Sequence, residues 1–319
     1  MRKCAAVVFV LVLLVTAVSA VGCRHRVPAQ GSKGEGGGQP ERIRVVATIF
    51  PLADMARNVG GDAVEVTCLL PPGASPHTFE PRPGQAQAAS RAQIFLSVGA
   101  GLDDWAAKLV ESAPGAVHVV ATRGMKLLAP IEHGHGGGGE GHGHEGAAGD
   151  PHVWLDPLAV RDVIAPAICE ALVTVDPDRA DAYRGNLARY QEELSSLDRE
   201  IRDRVANFRH RQIVTFHPAW AYFARRYGLE QVAVLVESPG KEPPARWLGE
   251  VADTMRRLRI NVVFAEPQFN PALAEAVARE LGGRVLFLDP LGGEGIPGRD
   301  SYLALMRYNL GVLAEALAP

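Results

Sequence analysis

Ten histidines stand in the sequence, and their surroundings sort them by the chemistry they could do. Four of them, His133, His135, His142 and His144, fall in one run reading His-Gly-His-Gly-Gly-Gly-Gly-Glu-Gly-His-Gly-His-Glu-Gly. Glycine loses more backbone freedom on ordering than any other residue, so this run is expected to hold neither helix nor strand. Neutral imidazole is a favoured ligand for zinc and its neighbours, and a short histidine-rich tract is a metal-collecting composition. His77, His152 and His217 are placed differently, each in a loop fixed by adjacent proline. His77 lies in Pro-Pro-Gly-Ala-Ser-Pro-His-Thr-Phe-Glu-Pro-Arg-Pro, from Pro71 to Pro83, whose prolines position the ring at low entropic cost. His152 is bracketed by Asp150-Pro151 and Asp156-Pro157, with Val153-Trp154-Leu155 to anchor the segment in a core. His217 follows an apolar run and precedes Pro218, and Asp289-Pro290 closes the last apolar run in the same way.

Three imidazoles with one carboxylate or water suit zinc, which takes four N, O or S ligands. Copper or nickel would also accept such donors. Asp289 offers the carboxylate, and the residues leave open whether it or a water takes the fourth place. Glu237 and Glu266 also end apolar runs, where a carboxylate either holds an imidazole tautomer or is a solvated loop charge. His25, His118 and His210 have plainer settings: a polar leading segment, an alternating strand and an Arg-His-Arg run. Trp105, Trp220 and Trp247 sit at helical positions and read as core.

Short apolar runs at 43–48, 64–70, 94–98 and 117–120 read as strands, with helices at 50–59 and 102–112. A helix at 158–173 follows. From Asp176-Pro177-Asp178 to Phe208 there is no proline and one glycine, with Leu187, Tyr190, Leu194, Leu197, Ile201 and Val205 at steps of three and four. This spacing predicts an amphipathic helix of about 30 residues, roughly 45 Å long. The alternation then resumes, with strands at 212–216, 231–236, 262–265 and 285–288 and helices at 220–227, 245–258, 271–281 and 301–317. Strands alternating with helices imply mainly parallel sheets. At 319 residues the chain exceeds the size at which one core stops growing. The expected fold is α/β, with two lobes, each a mainly parallel sheet flanked by helices, joined by one long rigid interlobe helix. The lobes are expected at 42–175, carrying the loop 133–144, and at 210–319, with the linking helix at 176–209. Ligands in such sheets bind beyond the carboxyl ends of the strands, where the three proline-fixed histidines stand.

Residues 1–22 read as an export signal: Arg2 and Lys3, an apolar run, then Ala20-Val21-Gly22-Cys23. The apolar run is short for a membrane span, which needs about 20 residues. The ending resembles a lipoprotein box, with Cys23 as the lipidated residue and residues 23–41 as a flexible tether. Without lipid, cleavage would follow Ala20 and the protein would be periplasmic. Cys68 and Cys169 then remain, and their spacing does not require a disulfide. A net charge of −3 with no basic block argues against nucleic acid as a partner.

Pro-His-Thr-Phe-Glu-Pro, Asp-Pro-His-Val-Trp-Leu-Asp-Pro, Phe-His-Pro-Ala-Trp-Ala-Tyr-Phe and Leu-Asp-Pro-Leu-Gly, in that order, resemble the zinc-binding branch of the cluster A-I metal solute-binding proteins. These are the binding components of zinc and manganese ABC importers. The resemblance implies metal-ligand roles for His77, His152 and His217, with Asp289 at the more variable fourth position. It also implies the long helix as interlobe strut and the histidine-rich run as a zinc-branch insertion. In manganese relatives a carboxylate usually replaces the third histidine, so His217 favours Zn2+. The cysteine pair found near the fourth position in some zinc members is absent here. A monomeric, lipid-anchored zinc receptor serving a membrane permease, not an enzyme, is the expectation. A manganese receptor or metal-dependent adhesin of the same fold is the first alternative. A zinc hydrolase is the more distant one, since neither His-Glu-x-x-His nor Gly-x-Ser-x-Gly occurs.

Overall fold

The structure is a computed structural model that describes residues 41–129 and 149–319. The expected signal at 1–22, Cys23, nearly all of the tether, and His133, His135, His142 and His144 lie outside the described residues.

Among the described residues, eight strands form two parallel sheets of four. In the first lobe β1 (Ile43–Ala47), β2 (Val64–Cys68), β3 (Ile94–Ser97) and β4 (Val117–Val120) pair in the order β2-β1-β3-β4. In the second, β5 (Gln212–Thr215), β6 (Glu230–Val234), β7 (Val262–Ala265) and β8 (Arg284–Phe287) pair as β6-β5-β7-β8. The two sheets therefore share one strand order, a likeness that the sequence carries only as a common alternation. Continuous apolar strands such as β3 and β7 are buried along their whole length, as parallel strands covered on both faces must be.

Helices cover the sheets. In the first lobe these are α1 (Phe50–Gly60), α2 (Pro83–Ser90) and α3 (Ala107–Glu111). A run begins with the single turn α4 (Pro157–Ala159), continues through a π-helical stretch at Val160–Ile164, and ends as α5 (Ala165–Val175). Pro166 in the first turn of α5 has no N–H to donate, and the widened stretch before it absorbs that missing bond. The long helix is α6 (Ala180–Ala206), of 27 residues and so about 40 Å long. Its buried stripe, Tyr183, Tyr190, Leu194, Leu197, Ile201 and Val205, packs on α1 and α5 of the first lobe. The same helix packs on α7 (Ala221–Tyr227) and α10 (Tyr302–Leu317) of the second. With α8 (Ala245–Leu258) and α9 (Ala272–Glu280) these complete the second lobe. One apolar core runs through both lobes along α6, while a smaller one lies beneath α8 and α9.

The expected helix at 102–112 is shorter than its apolar spacing implies: a 3-10 turn at Asp104–Ala106 leads into the five residues of α3. Helix α2 has no counterpart among the expected elements. Cys68 and Cys169 are free thiols. No described helix is long and apolar enough to cross a membrane.

Candidate metal centre

The three proline-fixed histidines meet. One nitrogen from each of His77, His152 and His217 lies within 4.8 Å of the other two. Their ring centroids form a near-equilateral triangle, with separations of 5.4, 5.2 and 5.2 Å. No carboxylate joins that group among the described residues.

His152 and His217 have their rings held from behind, and His77 is held through its loop. His77 comes from the loop after β2. Trp105 donates from its indole to the Pro76 carbonyl at 3.0 Å and packs edge-on to Phe79 at 4.8 Å, tying the loop to the first lobe. His152 is fixed by Asp150, whose Oδ1 accepts from both the His152 backbone N–H, at 3.0 Å, and Nδ1, at 2.8 Å. His217 ends the β5 segment in extended conformation and precedes the turn Pro218–Trp220. Its Nδ1 donates to Oε1 of Glu266 at 2.5 Å, and Glu266 sits just past β7, the neighbour of β5. This is the point where the strand order reverses, the usual binding place in open parallel sheets.

These bonds set the tautomers. An ionised carboxylate only accepts, so the Nδ1 atoms of His152 and His217 carry the protons and each Nε2 presents a lone pair. The two Nε2 atoms are 3.3 Å apart, aimed into one small space. His152 and His217 are buried, and His77 is half-buried. Burial, reinforced by the neighbouring imidazoles, pushes the His77 ring down to about 2, which favours its neutral, metal-binding form. The three imidazoles enclose a cavity of about 10 Å³, also lined by Trp154, Glu266 and Gln268. That is room for one water or one ion, and for no organic substrate.

The structure does not bring Asp289 into the triad. Its carboxylate is buried and engaged by other donors: Gln268 Nε2 at 2.8 Å, the Leu291 and Gly292 N–H groups at 3.0 Å each, and Arg299 at 2.9 Å. Glu237 is exposed on the surface, unlike the buried Glu266. His118 bonds Ser97 and His210 is exposed, both away from the triad. Trp220 and Trp247 are buried, and Trp105 is half-buried.

The lobes are stitched beside the site. Trp154, two residues after His152, donates its indole N–H to the Pro290 carbonyl at 2.7 Å, and Tyr302 donates its hydroxyl to the Trp154 carbonyl at 2.7 Å. Tyr222 of α7 donates to the Asp150 carbonyl at 2.9 Å and accepts the Leu128 N–H at 3.0 Å, with Asp150 N–H closing onto Leu128 O at 2.8 Å. Gly149 makes that closure possible: its φ is +116°, and a Cβ there would lie 2.8 Å from the Leu128 carbonyl oxygen. Arg226 grips both oxygens of Asp156 from α7. Sequence reasoning named neither Tyr222 nor Gln268 nor Arg299, because their partners are distant along the chain.

The model of the family described as zinc-uptake complex component A, periplasmic, matches residues 45–316. The high-affinity zinc uptake system protein ZnuA of Bacillus subtilis is 30% identical over 292 residues, covering 90% of this chain and 91% of its own. The manganese-binding lipoprotein MntA of Halalkalibacterium halodurans is 29% identical over 317 residues, 98% of this chain and 99% of its own. Among solved structures, a zinc-bound ZnuA with residues 138–173 deleted superposes with a TM-score of 0.76 at 31% identity, covering 88% of this chain and 99% of that one. The chain belongs to the zinc-uptake component A family, the substrate-binding receptors, not enzymes, of metal ABC importers.

Proposed function

We propose that this receptor captures a single zinc ion on His77, His152 and His217 and delivers it to the permease of a membrane ABC importer. The observation that carries the reading is the pair of Nε2 lone pairs 3.3 Å apart, each oriented by a buried carboxylate. Two lone pairs so close repel one another unless a cation lies between them, and an outer carboxylate behind each ligating imidazole is the usual support of such a site. Nitrogen donors in a cramped cavity suit four-coordinate zinc better than manganese, which prefers oxygen ligands. Binding replaces the ion's water by imidazole. The lobes contribute ligands from both sides, so release requires them to part or shift at the site, and α6 limits how far.

Cys23 is read as the lipid anchor, with residues 23–41 as the tether that keeps a monomeric body beside the permease, and residues 133–144 as an auxiliary loop that collects zinc. The likeness to MntA favours manganese as the second reading. Calorimetric titration of the protein lacking residues 133–144 with zinc and with manganese separates the two. One tight zinc event with much weaker manganese binding supports the proposal, and tight manganese with weak zinc reverses it.

A further inference from the structure

We infer that Arg299 is a specificity-determining residue, which keeps the Asp289 carboxylate off the cargo ion and leaves the fourth coordination place to water. The inference rests on the reading of the histidine triad as the cargo site.

Asp289 follows β8 directly before Pro290 and Leu291, which line the triad's cavity, and it bonds Gln268, another lining residue. Its oxygens are occupied. Oδ1 accepts from Gln268 Nε2 and from two successive backbone N–H groups, while Oδ2 pairs with Arg299 Nη1 at 2.9 Å. Asp289 is 1% exposed and the Arg299 side chain 22%, so the pair is little screened by solvent. A buried carboxylate that gives up its guanidinium leaves a charge uncompensated, which holds it in place.

Arg299 is itself held. Its guanidinium carbon lies 4.8 Å from the Tyr308 ring centroid, a cation–π contact. Its backbone is tied on both sides, by Gly293 N–H to Arg299 O at 3.1 Å and Arg299 N–H to Ile296 O at 3.0 Å. Gly292 permits this hairpin: φ is +63°, and a Cβ would come within 2.5 Å of the Arg299 carbonyl oxygen. The segment therefore delivers the guanidinium to Asp289 rather than leaving it to solvent. On the cavity side, Gln268 spends its amide N–H on Asp289, and its Oε1 is buried without a partner among the described residues. That unpartnered acceptor suits a water on the ion, which donates where a carboxylate ligand would not.

The consequence concerns selectivity. An ion in the triad meets three imidazole nitrogens and a water, with the Asp289 carboxylate held away by Gln268, the backbone and Arg299. Manganese depends on oxygen donors more than zinc does, so withholding the carboxylate penalises manganese more.

Matched titrations of the native chain, Arg299→Met, Asp289→Asn and the double variant with zinc chloride and manganese chloride test this. Methionine keeps an apolar stem over Tyr308 while releasing Oδ2 of Asp289, which then can turn toward the ion. Arg299→Met is expected to tighten manganese by about tenfold or more relative to zinc, and the double variant to lose that gain. Asp289→Asn alone is expected to keep the zinc dissociation constant within about threefold of native. Zinc weakened on the order of a hundredfold by Asp289→Asn would mean that the carboxylate is a ligand, and would overturn the inference. An unchanged zinc-to-manganese ratio in folded Arg299→Met would overturn it equally. If Arg299→Met does not fold, the Asp289→Asn result decides alone. Loss of selectivity change condemns this inference only, whereas a native chain with no tight metal binding condemns the cargo-site reading itself.

Discussion

Nε2 of His152 and Nε2 of His217 stand 3.3 Å apart although 65 residues separate them in the chain and each belongs to a different lobe. Neither is placed by its neighbours in sequence alone. His152 takes its direction from Asp150, and His217 takes its own from Glu266 across two paired strands.

Glu266→Gln tests that support. Glutamine keeps the size but can present its NH2 to Nδ1, which then favours the wrong tautomer and turns an N–H toward the ion. Zinc affinity is expected to fall about 10- to 100-fold with the fold retained. Circular dichroism and competition titration read the two separately, and full zinc affinity in the variant would remove Glu266 from the site.

Tyr222→Phe tests whether α7 positions His152 as well as His217. The hydroxyl bridges the Leu128 N–H and the Asp150 carbonyl, and Asp150 is the residue that aims His152. Removing it is expected to cost about 1–3 kcal/mol of stability, because the buried Asp150 carbonyl and the half-buried Leu128 N–H each lose a bond. The visible absorption of a bound Co2+ probe should also change as the His152 ring relaxes. A stability loss with an unaltered cobalt spectrum would leave Tyr222 a purely structural clamp.

Acid should weaken the metal-free fold through His77. Its folded value is lowered, chiefly by burial, from an ordinary 6.5 to about 2. The unfolded chain therefore binds the extra proton first, so this contribution is complete above about pH 6.5 and is lost as pH falls toward the folded value. The slope from this one group is about 1.4 kcal/mol per pH unit. Urea unfolding of the metal-free protein at about pH 7 and about pH 5 should show it, and His77→Asn should flatten it by up to one proton. Equal slopes for the two proteins would contradict the account.

The fold was legible because its signals are local. The strands at 117–120 and 262–265 and the helix at 245–258 occur with the bounds that apolar runs and turns imply. Helix α2 escaped because its eight residues are mostly small or polar, and its start depends on Pro83 in the first turn and on Gln85 bonding back to Arg82 N–H. The three histidines were legible from proline-fixed loops at strand ends. Glu266 was visible only as one of two strand-end carboxylates, and burial separates it from Glu237. Arg299 and Tyr222 were not legible at all. What matters in them is a partner 10 and 72 residues away, set by tertiary packing rather than by period or motif.

Deleting residues 133–144 should leave the tight site intact and remove only weaker additional binding, since His77, His152 and His217 all lie outside that loop. Calorimetry before and after the deletion counts both classes. Loss of the tight event would place the loop in the primary coordination sphere.

X-ray absorption at the zinc edge tests the central claim most directly, with the loop-deleted protein loaded at less than one equivalent. Three imidazole nitrogens and one oxygen at about 2.0–2.1 Å are expected, with the imidazole signal falling by one third in His152→Ala at forced loading. A first shell with fewer than three imidazoles, or an unchanged shell in the variant, would contradict the three-histidine site.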